Sequence, residues 1–147
     1  MKKTLQLLVG LIMVISSTSC KKDKSSSSGS KMELLTEKPW ALVSQEIFNP
    51  TRQVWELLGG EANRLHYFYA DGTVEKKNSS SGTPSTYPVV GRGTWSFADG
   101  EKALNHAYFS FMKSPVVIET LTSTKFVIIT TENTVDALKY RNTYAHP

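Results

Sequence analysis

Cys20 carries the most reactive side chain in this sequence, and it is the only cysteine. With no second thiol, no intramolecular disulfide can form. A stray thiol is a liability in an oxidising compartment, so its presence calls for a specific use. The other candidates for chemistry are His66, His106 and His146. None has metal-ligand spacing to another histidine, a cysteine or a carboxylate. His66 and His106 fall in strand-like runs, where a polar position on a sheet face accounts for them. His146 lies in the tail. The chain has no Gly-x-Ser-x-Gly elbow and no glycine-rich phosphate loop. Asp71 and Asp99 each precede a glycine in a turn, which is reason enough for them. Gly82-Thr83-Pro84 lies in a loop and carries no mechanism. The expectation is a protein that is not an enzyme and that uses neither metal nor cofactor.

The residues before Cys20 form a three-part leader. Lys2 and Lys3 are positive. Leu5 to Ile15 is apolar except for Gln6 and Gly10, and Ser16-Ser17-Thr18-Ser19 is small and polar. This is the plan of a secretory signal over residues 1–19. The apolar run is about eleven residues, whereas a membrane-spanning helix needs roughly twenty. A retained span is therefore disfavoured.

Residues 20–32 change character. Lys21 to Lys31 is serine-rich and charged, cannot bury a core, and reads as a flexible tether. Its r.m.s. reach is under about 20 Å. The domain proper is then 33–147. The formal net charge of +4 misrepresents that domain. Six of the 17 basic residues precede residue 33, leaving 11 basic against 12 acidic from there on. A near-neutral domain argues against nucleic-acid binding. The basic tether is either a solvated linker, the simpler reading, or a contact to anionic headgroups.

The domain must be built from strands. Met32 to Leu35 suits a helical turn, and Pro39 to Phe48 is strand-like until Asn49-Pro50 breaks it. Gln53 to Leu58 is ambiguous. A short helix closed by Gly59-Gly60 is favoured over a strand. Arg64 to Ala70 and Thr73 to Asn78 flank Asp71-Gly72, a strong hairpin signal. A polar loop follows over Ser79 to Pro88. Val89 to Phe97, Glu101 to Met112, Val116 to Leu121, Lys125 to Thr131 and Ala137 to Tyr144 complete eight strands, a pattern of an all-β sandwich or barrel.

Register can be predicted at the two hairpins. A three-residue turn with a G1 bulge at Asp71-Gly72 opposes Phe68 to Val74, and a two-residue turn opposes it to Glu75. The first keeps Phe68 against an apolar partner and is preferred. A two-residue turn at Asp99-Gly100 sets Trp95 against Leu104 and Gly93 against His106. Trp95 and Phe97 share one face, and Trp40, Leu42 and Phe48 share another; these are the expected core residues.

Cys20, preceded by Thr18 and Ser19, resembles the acylated cysteine that ends the lipobox of bacterial lipoproteins. The resemblance implies a diacylglycerol on the thiol and anchoring in the membrane. Lys21 in place of Asp suits the outer membrane by analogy with known sorting rules. An ordinary leader cut near residue 19, releasing a soluble protein, is the alternative.

From about Leu34 to Tyr144 the chain resembles the lipocalin-like domains of small Gram-negative lipoproteins. The likeness rests on Leu34-Leu35-Thr36 before Trp40-Ala41-Leu42-Val43-Ser44, then Phe68-Tyr69-Ala70-Asp71-Gly72-Thr73. Gly93-Thr94-Trp95-Ser96-Phe97 follows, and Ile118-Glu119-Thr120-Leu121-Thr122 before Lys125-Phe126-Val127-Ile128. Many lipocalins carry Gly-x-Trp in the first strand; this chain has Lys38-Pro39-Trp40. The family implies an eight-stranded antiparallel up-and-down barrel with a short helical segment.

A barrel of this size either fills with side chains or holds one small ligand. The leading expectation is an envelope lipoprotein binding a small apolar ligand, with Trp40, Tyr67, Phe68, Trp95 and His106 in the interior. Tyr69, Tyr108 and Tyr140 are further aromatic candidates. The alternative is an interaction or inhibitor module whose partner is unknown, acting through loops at Ser79 to Pro88 and Asn49 to Asn63.

Overall fold

The computed structural model describes residues 29–80, 83–107, 114–132 and 136–147. Cys20, the leader and most of the tether lie outside the described residues. One helix, α1 (Lys31–Thr36), precedes eight strands. These are β1 (Trp40–Asn49), β2 (Val54–Phe68), β3 (Thr73–Asn78), β4 (Val89–Ala98), β5 (Ala103–His106), β6 (Val116–Leu121), β7 (Lys125–Thr131) and β8 (Lys139–Ala145). Each strand pairs antiparallel with the next, and β8 returns to β1, giving a closed up-and-down barrel. Closure gives every strand a neighbour on both sides, removing the two free edge strands of an open sheet.

The helix is only six residues long, too short to be stable alone. A capping box holds its start: Glu33 N–H donates to Ser30 Oγ at 3.2 Å, and Ser30 N–H donates to the Glu33 carboxylate at 2.7 Å. Its end is tied to the barrel, because Trp40 Nε1–H donates to Leu35 O at 3.0 Å. Leu35 is completely buried and joins the barrel core. The helix thus plugs one end, and Lys31 Nζ–H ties it to the turn after β4 by donating to Glu101 O at 2.6 Å.

The expected helix over Gln53 to Leu58 is instead the start of β2. Cross-strand pairing with β1 decides this, since Val54, Trp55, Glu56 and Leu57 oppose Asn49, Phe48, Ile47 and Glu46. The Phe48 and Trp55 rings meet at 5.2 Å. Gly59, at φ +142°, bulges the strand rather than capping a helix. Gly60 is required by a close approach: a Cβ there would stand 2.5 Å from Val43 O. The presumed loop Asn49 to Asn63 is accordingly mostly strand.

At Asp71-Gly72 the bulged turn is found. Tyr69 N–H donates to Thr73 O at 2.9 Å, Gly72 has φ +85°, and Phe68 opposes Val74. At Asp99-Gly100 the expected register is two residues off. Ala98 pairs with Ala103, so four residues turn the corner, with Asp99, Gly100 and Glu101 all at positive φ. Trp95 opposes His106 and Phe97 opposes Leu104. A slip of two leaves every side chain on its expected face, because strand alternation also has a period of two.

The interior alternation of β1 is reset by register shifts between Leu42 and Glu46. Trp40 and Leu42 join the core, whereas Phe48, expected there from parity, packs against Trp55 outside that cluster. The core fills the plugged half of the barrel. Phe68 packs edge-on to Trp95 at 5.7 Å and to Phe126 at 6.0 Å, and Trp40 lies 5.6 Å from Phe126. Trp95 Nε1–H donates to Tyr69 O and Thr73 O, both at 3.0 Å, which anchors the β2–β3 turn.

Candidate functional site

The other half of the barrel is open. A cavity of about 460 Å³ lies between β1, β2, β3, β7 and β8. Alternation along β8 turns Tyr140, Asn142 and Tyr144 toward it. Thr130 of β7 and the following Glu132 do the same from the neighbouring wall. The register shifts in β1 bring in Gln45 after Leu42, and β2 supplies His66 and the stretch from Leu58 to Glu61. Lys76 enters from β3.

Three polar pairs span the walls. Lys76 Nζ contacts Glu61 Oε2 at 2.9 Å. Gln45 Nε2–H donates to Asn142 Oδ1 at 2.9 Å, and the Tyr140 hydroxyl donates to Glu132 Oε1 at 2.8 Å. The hydrogen bond from Lys76 holds the Glu61 carboxyl below its ordinary range. The bond to Glu132 pushes the Tyr140 phenol up, since ionising it would lose that donor.

Deeper in lie His66, 4% exposed, and Thr130, 1% exposed. Burial, reinforced by nearby Lys76, pushes the His66 imidazole down to about 4, so it is neutral at pH 7. Its ring stands edge-on to Tyr144 at 5.2 Å. The Thr130 hydroxyl has no hydrogen-bond partner among the described residues.

Below this the interior closes. A void of about 30 Å³ remains among residues that include His66, Phe68, His106, Phe126 and Tyr144. That is room for about one water. Trp40, Phe68 and Trp95 therefore belong to the packed core. Trp95 and His106 also border a separate, more open pocket of about 270 Å³ with Thr94, Ser96, Asn105, Ala107 and Ser114. His106 borders the small void, half-buried, its imidazole also lowered by burial. Tyr67 is not brought together with them. It pairs with Glu75 on the outer face, and Lys77 Nζ sits 4.6 Å above its ring. Tyr69 is likewise outside, its hydroxyl donating to Glu75. Tyr140 does line the cavity, and Tyr108 lies outside the described residues.

Sequence reasoning on aromatic residues missed Gln45, Glu61, Lys76, Thr130 and Asn142. The signal for two of them was legible: Ile128-x-Thr130-x-Glu132 and Tyr140-x-Asn142-x-Tyr144 put polar residues on the inward parity of β7 and β8. For β1 and β2 the shifts in register hid it.

The arrangement suits recognition of a solute by hydrogen bonds. Among the described residues no group of three or more histidine, cysteine or acidic side chains is placed to hold a metal ion. No helix among them is long and apolar enough to cross a membrane. Neither the known family models, nor the curated proteins, nor the solved structures yield a match to this chain.

Proposed function

We propose that this chain is an outer-membrane lipoprotein of lipocalin-like design, anchored through an acylated Cys20, that binds a small ligand in the open mouth of its barrel. The carrying observation is the asymmetry of the interior: α1 plugs one end, and a cavity of about 460 Å³ occupies the other. Small-molecule sites fall in the range of about 300–1,000 Å³ and combine apolar walls with a few convergent polar groups. The interior void beside Phe68 holds only about 30 Å³, too little for the apolar ligand expected from the aromatic residues. The mouth combines apolar residues such as Leu42 and Leu58 with polar groups on the same strands. Anchoring is supported by the leader and the lone thiol. A single acyl chain binds only marginally, so a multiply acylated cysteine would hold the domain without its help.

A second reading is a module for protein partners. It is favoured by Leu57 and Leu58, exposed by 71% and 55% on β2, near the tip of the β1–β2 hairpin. Exposed apolar residues in a cluster mark interaction surfaces.

Native mass spectrometry of the chain extracted from its own host tests the first reading. The expected result is a mature chain beginning at Cys20, heavier by its acyl groups, that releases a small molecule on activation. An unmodified thiol would overturn the anchoring, and repeated preparations with nothing bound would overturn the binding.

A further inference from the structure

We infer that the mouth cavity is a site for a neutral, hydroxyl-rich molecule of the size of a mono- or disaccharide. This rests on the binding reading above and names its ligand class. The groups deepest in the cavity are Thr130, Asn142 and His66. A hydroxyl, a carboxamide and a neutral imidazole each donate and accept hydrogen bonds. A ligand hydroxyl does the same, so it complements the Thr130 hydroxyl and the Asn142 carboxamide. A carboxylate only accepts and an ammonium only donates, so neither complements the full set.

The formal charges in the walls are already engaged. Lys76 is paired with Glu61, and Glu132 accepts from Tyr140. Two carboxylates against one ammonium leave no excess positive charge to favour an anion. An apolar ligand is opposed by the buried polar atoms. The Thr130 hydroxyl has no partner among the described residues, and Asn142, using Oδ1 for Gln45, keeps its amide N–H pair for an acceptor. Covering these with hydrocarbon would leave them unsatisfied. Tyr140 adds part-exposed aromatic surface against which the C–H face of a sugar ring can pack.

The test titrates the mature chain with glucose, galactose, N-acetylglucosamine, maltose and trehalose, and separately with palmitate, succinate and tetramethylammonium, by isothermal titration calorimetry. At least one of the sugars is expected to bind, and Thr130→Val is expected to weaken it by about five- to tenfold, the loss of one hydrogen bond. Asn142→Leu is a second variant for the same purpose, and circular dichroism of each variant verifies that the barrel is intact. Binding of palmitate, succinate or tetramethylammonium without any sugar would overturn the ligand class and leave the binding reading standing. Silence from all the probes while the host-extracted protein releases a bound molecule of another class would do the same. Silence together with an empty host-extracted protein would overturn both. A sugar affinity unchanged in Thr130→Val and Asn142→Leu would also overturn the assignment.

Discussion

Trp40→Ala is expected to destabilise the barrel by about 3–5 kcal/mol, the usual cost of truncating a buried aromatic residue to alanine. Trp40 is fully buried, packs on Phe126 at 5.6 Å and lies 3.9 Å from the His146 ring. Its indole also holds the plug in place through the 3.0 Å bond to Leu35 O. Removing it opens a cavity at the closed end and leaves a buried carbonyl without its donor. Trp40→Phe keeps most of the packing and loses the bond, so a smaller loss of about 1–2 kcal/mol is expected. Urea titration followed by far-UV circular dichroism measures both. A loss below about 1 kcal/mol for the alanine variant would mean that α1 and β1 do not close the barrel as described.

The second large effect is on stability against pH. In the unfolded chain a histidine titrates near 6.5, and in the fold His66 is held down to about 4, chiefly by burial. Between these values the unfolded state binds a proton that the folded state refuses. Stability is therefore complete above pH 6.5 and falls as the pH drops, by about 1.4 kcal/mol per unit, until the folded imidazole itself titrates. The loss approaches roughly 3 kcal/mol by pH 4. His106, also lowered by burial, pulls in the same direction. The carboxylate of Glu61, held down by Lys76, adds its own loss at still lower pH. The contribution of His66 is isolated by comparing the chain with His66→Gln in urea titrations at pH 7.5, 6.5, 5.5 and 4.5. The variant is expected to show a distinctly shallower fall over that window. Equal slopes would show that the imidazole is not buried neutral at the cavity floor.

The barrel was legible because its strands alternate and its turns carry Asp-Gly. Those are local signals that fit a sandwich as well as a barrel, and it was the resemblance to lipocalin-like domains that implied closure. The stretch from Gln53 to Leu58 was not legible for the opposite reason. Its residues suit either a short helix or a strand, and the choice is made by Phe48 and the rest of β1, which are distant in local pattern but adjacent across the hairpin. The register at Asp99-Gly100 failed because Asp-Gly is compatible with more than one turn length. Positive φ at Glu101, a residue not suggested by type, lengthens this one.

The site was less legible than the fold. Aromatic residues in a barrel suit ligand contact and core packing equally by type, and Trp40, Phe68 and Trp95 fill the plugged half together with Leu35, Leu104 and Phe126. Tyr67 could have been excluded by parity, since it adjoins Phe68 and one of the two must point outward. The polar mouth depends on Gln45 and Glu61, which face inward only because β1 and β2 slip in register. Non-local bulges of this kind leave no mark in a period-two pattern.

The binding reading is tested most directly by amide chemical-shift mapping of the isotopically labelled mature chain, titrated with the small-molecule fraction of its own host. Saturable shifts are expected at Gln45, Glu61, His66, Thr130 and Asn142, with Tyr67 and Trp55 on the outer face unmoved. Shifts confined to the outer face or to the loop at 83–88, with the mouth residues silent, would contradict it.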